Sequence, residues 1–208
     1  MGRLSRFMVP AAGVAVLVAS ARGCQTCDVG PTEERVFRTF NDAPQQLHIP
    51  VWAVMQSGSL AGVYIVAGAL LSRGRRREAG TVAAVGTAVW GGVKALKPMI
   101  GRGRPSRHLG DVAVRGEAQT GLGFPSGHAA VALTVGLIAT HRSSGTAKAL
   151  AVAGAGVTGA ARMYVGAHLP LDVAGGLAIG LLSGCAANAI LGPGSADPMA
   201  NFGGQRAH

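Results

Sequence analysis

Apolar residues in this chain gather into long runs parted by short polar loops, unlike the one-faced helices and alternating strands of soluble domains. Val51 to Leu71 carries no charge and stops against Arg73, Arg75, Arg76 and Arg77. A run of this length matches the roughly 20 apolar residues that a membrane-crossing helix needs. Further runs cover Ala79 to Val93 (extended by Ala95 and Leu96 to Lys97), Ala129 to Thr140, Ala147 to Ala161 with Lys148 inside it, and Val173 to Leu191. These five are expected to span. A further run, Phe7 to Ala21, follows Arg3 and Arg6 and is short for a crossing; Ala19-Ser20-Ala21 resembles a signal-peptidase site. It is therefore either a cleaved signal or a short first helix. The runs after His128 and before Arg162 also fall short, so the charges at their ends must reach water along their side chains. The pattern predicts an all-α fold, a polytopic membrane helical bundle of about six transmembrane helices.

Between the first two runs, residues 28–50 mix Asp28, Glu33, Glu34, Arg35, Arg38 and Asp42 with Val36, Phe37 and Phe40. This reads as an amphipathic helix lying on the membrane surface or as an ordinary connecting helix. Glycine and alanine are frequent in every run, which lets helices approach closely in lipid. The tail from Gly192 is polar and is expected to be disordered.

Composition supports the membrane class: charged residues make up 13% of the chain, there are 33 glycines, and mean hydropathy is +0.35. The formal net charge of +10 would suit nucleic-acid binding. However, the basic residues sit in short clusters between apolar runs, and aromatics that could stack on bases are only 4% of the chain. No nucleic-acid partner is expected. Cys24 and Cys27 form a lone CxxC, read as a local disulfide or two free thiols, and Cys185 lies in an apolar run. Loop charge sets the orientation. With a cytoplasmic N-terminus, the arginine cluster 73–77 lies inside, as the positive-inside rule requires.

Three polar segments then fall together on the outer side. In the first, Lys97 ends a run and Arg104-Pro105 follows; with Arg102 and Arg107 it gathers cations on the face where the inside rule disfavours them, which suggests an anionic partner. In the second, Gly123-Phe124-Pro125-Ser126-Gly127-His128 precedes a run directly. Ser126 is expected to cap that helix, and its N-terminal N–H groups form an anion site. The third runs from Arg162 through His168 to Asp172, with Pro170 suited to a first helical turn. Asp172, four residues after His168, is placed to hold its ring. Singly, each segment has an ordinary reading as a snorkelling cation, a plain helix cap or a stray histidine. Together they put three cations, a helix N-terminus, two histidines and a carboxylate on one face.

Lys97-x6-Arg104-Pro105, Pro125-Ser126-Gly127-His128 and Arg162-x5-His168-x3-Asp172 resemble the three-part signature of the type 2 phosphatidic acid phosphatase superfamily. The resemblance implies a six-helix core, hydrolysis of a phosphomonoester or diphosphate without metal or cofactor, and an active site at the outer membrane face. It implies that His168 attacks phosphorus, that Asp172 orients the His168 ring, and that His128 gives a proton to the leaving group and then activates water. Lys97, Arg104, Ser126, Gly127 through its N–H, and Arg162 would hold the phosphoryl oxygens. In one place the chain departs from the signature. The third motif usually begins Ser-Arg, whereas Ala161 stands here, removing a hydroxyl and a hydrogen bond to phosphate. The expected organisation is an N-terminal signal or first transmembrane helix over 1–27, a membrane phosphatase domain over 28–192 and a cytoplasmic tail over 193–208. The expected partner is a lipid phosphate in a cell membrane. Rival readings are a lipid phosphotransferase, a protein that only binds lipid phosphate, and a vanadium-dependent haloperoxidase; the last resembles large soluble proteins rather than this short apolar chain.

Overall fold

The computed structural model describes residues 3–25, 28–117 and 120–192. Cys27 and the tail 193–208 lie outside the described residues. Among them the chain forms eight α-helices and no strand: α1 (Arg3–Gln25), α2 (Pro31–Asn41), α3 (His48–Met55), α4 (Leu60–Ser72), α5 (Arg76–Ile100), α6 (Gly127–Ala139), α7 (Gly145–Tyr164) and α8 (Pro170–Leu191).

The centre of the bundle is α6. It packs against α4, α5, α7 and α8, and Ala129 to Val135 are buried on every side of it. Its 13 residues rise about 20 Å, well short of the ~30 Å hydrocarbon core. A helix enclosed by its neighbours needs no lipid-matched length. Against it lies α8, where Gly176, Gly180 and Gly184 recur every fourth residue on one stripe. A Cβ added at Gly180 would stand 2.6 Å from the Ala130 carbonyl, and one at Gly184 2.7 Å from Leu137. The seam is therefore closed by backbone contact, as small-residue spacing permits in lipid. Gly180→Val is expected to lower stability by about 1–3 kcal/mol through overpacking, read as a drop in the thermal unfolding midpoint in detergent; an unchanged midpoint would contradict the seam.

Among the described residues, three helices are long and apolar enough to cross a membrane: Met8–Gln25, Arg76–Arg107 and Pro170–Leu191. A fourth arises if Gln45–Gly58 and Leu60–Ser72, bent by 68°, count as one broken span. By length and composition the number among the described residues is thus three or four, and α6 and α7 lie outside that criterion. The run from Val51 to Leu71, expected as one uninterrupted span, is corrected to this broken pair. The cause is local: Gln56, Ser57, Gly58 and Ser59 are uncharged but polar or small. Ser59 Oγ accepts from the Gly62 N–H at 3.0 Å and donates to the Gln56 carbonyl at 2.7 Å, starting α4 afresh.

The N-terminal segment is a helix, α1, packed along α8. Amphipathic α2 packs on α7 and α8 with Phe37 buried. Its last residue, Asn41, is fully buried and acts as a knot. Its Nδ2 donates to the carbonyls of Ala113, Met163 and Tyr164, and its Oδ1 accepts from the Ala113 N–H. Arg115 tightens the same junction by donating to the Asn41, Ala43 and Tyr164 carbonyls. The long loop between α5 and α6 is thereby tied to α2 and to the end of α7.

The basic loop after α4 sits at the opposite end of α5 from Lys97. Arg75 donates to the Ala139 carbonyl at the far end of α6, and Arg73 to Arg77 line a cleft with Glu78 and Arg142. Two oppositely placed polar ends result.

Candidate active site

At the other end, the close of α5, the start of α6 and the turn from α7 to α8 meet. Helix α5 ends on Gly101, whose φ of +72° allows its N–H to close back on the Lys97 carbonyl at 3.0 Å. The chain then runs extended through Arg102 to Arg104. The Gly123 N–H donates to the Arg102 carbonyl at 2.7 Å, joining the first segment to the second. The Ser126 N–H donates to the Asp172 carbonyl at 2.8 Å, joining the second to the third. Glycines make these approaches possible. A Cβ at Gly123 would lie 2.7 Å from both Asp172 Oδ2 and the Gly103 carbonyl. A side chain at Gly176 would collide with the Ser126 carbonyl, and one at Gly58, in the break between α3 and α4, with the His128 backbone.

His168 and Asp172 lie at the centre, 2% and 0% exposed. Asp172 Oδ2 accepts from the Leu169 N–H at 2.9 Å and stands 3.4 Å from His168 Nδ1. On the other side of the ring, Arg104 Nη1 lies 3.0 Å from Nε2, and it also donates to the Ala167 carbonyl at 2.7 Å. A guanidinium only donates, so Nε2 is the acceptor and the ring proton sits on Nδ1, facing the carboxylate. Burial first, and then the charges of Arg162, Arg104 and Lys97 and the ring of His128, hold the imidazole well below its ordinary range. His168 is therefore neutral at physiological pH, with the Nε2 lone pair directed at Arg104. The charges of Arg162, Arg104 and Lys97 and the ring of His128 all act on it.

Three buried donors from the three segments have no hydrogen-bond partner: Arg104 Nε, Ser126 Oγ and Arg162 Nε. Unsatisfied buried polar groups are costly and rare; here they fit an oxyanion. Ser126 was expected to cap α6. It stands at the cap position, but its hydroxyl makes no cap bond. Lys97 differs too: Nζ donates to the carbonyls of Leu122, Gly123 and Pro125 at 2.9, 2.8 and 3.2 Å. An ammonium has three donors, so Lys97 holds the turn before α6 and offers the site its charge. Gly127 opens α6. Ala161 is buried with Met55, Tyr164 and Val165, and Arg162 Nη1 rests on the Met55 sulfur at 3.0 Å.

Arg102 departs from the expected group of anion-binding cations. It is 5% exposed and already committed, to Glu33 through Nη1–Oε1 at 2.9 Å and Nη2–Oε2 at 2.6 Å, and to Asp172 Oδ1 at 3.3 Å. Glu33, on α2, also accepts from the Leu171 N–H at 3.0 Å. Its place in the site could not be read from spacing, because it lies far from all three segments in sequence. Cys24 is a buried free thiol 3.3 Å from Arg102 Nη1.

Residues 77–193 match the family model described as the PAP2 superfamily, more than half of the chain. Two solved structures are similar. One is LpxE of Aquifex aeolicus, at 25% identity over 77% of this chain and 96% of that one, with a TM-score of 0.68. The other is a transmembrane PAP2 type phosphatidylglycerolphosphate phosphatase of Bacillus subtilis, at 22% identity over 87% and 94%, with a TM-score of 0.69; it is similar in fold. A comparison with curated proteins gives no match.

Proposed function

The chain belongs to the PAP2 superfamily and is a phosphatase, and we propose that it hydrolyses a lipid phosphate at the membrane–water edge through a phosphohistidine on His168. The observation that carries this reading is that Arg104 Nε, Ser126 Oγ and Arg162 Nε, one from each of the three joined segments, are buried without a partner, beside a neutral imidazole whose far side faces Asp172.

A phosphoryl group entering this cluster draws Arg104 away from Nε2 and takes its donors. His168 Nε2 then attacks phosphorus while the bond to the leaving oxygen breaks. His128, whose pKa is pushed down to about 3 by burial and the charges of Arg162, Arg104 and Lys97, takes up a proton as the phosphoryl anion offsets those cations, and gives it to that oxygen. Nδ1–H, held toward Asp172, steadies the cation that forms on the ring. Water next attacks the phosphohistidine, His128 takes its proton, the P–N bond breaks and phosphate leaves with the ring restored. Negative charge spreads over the equatorial oxygens in such a step, so fixed donors supply much of the rate. Ser126 Oγ, the Gly127 N–H, Arg104 and Arg162 face those oxygens, with Lys97 acting through its charge. The reaction is proposed to need no metal: excess chelator is expected to leave turnover unchanged, and loss of activity on chelation would contradict it. Vanadate, which takes up the five-coordinate geometry of phosphorus, is expected to inhibit competitively; indifference to vanadate would count against this pocket.

The opposite placement of the Arg73–Arg77 cleft supports a multi-pass chain with the site on the extracytoplasmic side, by the positive-inside rule. Packing of α1 along α8 favours residues 1–27 as a retained first helix ahead of a phosphatase domain over 28–192. An outward-facing site favours a carrier lipid recycled at the outer leaflet, of the polyprenyl diphosphate or monophosphate class, over phosphatidate. Phosphate release from a panel of these lipids by purified protein tests the preference, and labelled alcohol acceptors in the same assay would reveal a phosphotransferase.

A further inference from the structure

One buried ion pair bears on the site, and only one of its partners, Arg102, comes from the three segments. Arg102 reaches Asp172 by a single contact of 3.3 Å, yet it grips Glu33 with both Nη atoms at 2.9 and 2.6 Å. Paired, two-point contacts of this kind are the stronger ones. Glu33 lies ahead of the matched region 77–193, on α2. It also holds the Leu171 N–H in the first turn of α8, the helix that carries Asp172. Asp172 has two oxygens to share: Oδ1 faces Arg102, while Oδ2 serves Leu169 and His168 Nδ1.

We propose that Glu33 is a positioning residue for phosphoryl transfer: by gripping Arg102 it keeps Asp172 available to orient the His168 ring. A buried guanidinium without a second carboxylate must be neutralised by whatever anion remains. With Glu33 uncharged, Arg102 closes onto Asp172, the carboxylate becomes a weaker acceptor for Nδ1–H, and the ring loses the tautomer that leaves Nε2 free to attack. Besides Asp172 itself, the titratable groups that act on the pair and on Asp172 are the Cys24 thiol and the Lys97 ammonium. Neither of them can replace the missing negative charge.

This rests on the reading of His168 and Asp172 given above, and the test separates the two. Full-length protein in detergent micelles is assayed on a short-chain phosphatidate, and the His168 tautomer is followed by nitrogen-15 NMR of histidine-labelled protein, its signal being the one absent from His168→Ala. Glu33→Gln is expected to lower kcat roughly ten-fold with KM within about two-fold, the signature of an interaction made in the transition state, and to reduce the Nδ1-protonated fraction. Glu33→Asp is expected to fall between Glu33→Gln and wild type. A merely structural clamp would lower the yield of folded protein and leave kcat and tautomer of the folded fraction at wild-type values, which overturns the proposal. Should Glu33→Gln not fold, the same two readouts on Glu33→Asp decide it, wild-type values again overturning it. An active His168→Ala would instead bring down the reading of the site itself.

Discussion

Replacing His168 with alanine is expected to abolish turnover, lowering kcat by at least about 10⁴-fold, because the proposed phosphohistidine cannot form without its ring. The buried neighbours that select the tautomer, Arg104 on Nε2 and Asp172 beside Nδ1, have no function in catalysis without the ring between them. Binding should survive. The donors of Arg104, Ser126 and Arg162 remain, and removing the ring frees Arg104 from its contact at 3.0 Å. Equilibrium binding of a non-hydrolysable lipid phosphonate, measured beside phosphate release, checks both halves. A variant that turns over within about ten-fold of wild type excludes His168 as the attacking group, and one that fails to bind shows that the ring was needed to shape the pocket.

Arg104→Lys is expected to cost about 10³-fold in kcat/KM, in line with the contribution of arginines that stabilise phosphoryl transfer. Charge is kept, so a purely electrostatic requirement would predict almost no loss. The geometry argues otherwise. Arg104 serves the Ala167 carbonyl and His168 through Nη1 while keeping Nε in reserve. A lysine has one nitrogen at the end of a flexible stem and cannot do these tasks at once. Steady-state kinetics on a lipid phosphate, alongside an unchanged thermal unfolding midpoint, separates lost chemistry from lost fold. Activity close to wild type would mean that the fork geometry is dispensable.

Much of the helical arrangement was legible in hydropathy alone. The run expected from Ala79 to Lys97 is α5, Arg76–Ile100, and the run from Val173 to Leu191 is α8, Pro170–Leu191. The break after Met55 was not, because Gln56, Ser57, Gly58 and Ser59 carry no charge and dilute an apolar window too little to register. Its purpose is visible only in three dimensions, where Gly58 meets the His128 backbone. The three segments announced themselves by residue type and spacing, but their division of labour did not. Lys97 satisfies its donors on three carbonyls, and Ser126 leaves its cap unmade. Arg102 looked like one more cation in a cluster. Its neutralisation by Glu33 follows from long-range packing, which no local pattern encodes.

The Asn41 knot bears on how small the working enzyme can be. A protein cut to begin at residue 77 would keep every signature side chain from Lys97 to Asp172. It would lose the Asn41 amide that, beside Arg115, ties the end of α7 and the strap around Ala113 to α2. The Met163 and Tyr164 carbonyls, directly after Arg162, would keep only the Gly166 N–H and Arg115 as partners, and the turn leading to His168 would lose its tie to α2. The three motifs are thus the vocabulary of the reaction, while the grammar that makes them one sentence is written earlier in the chain.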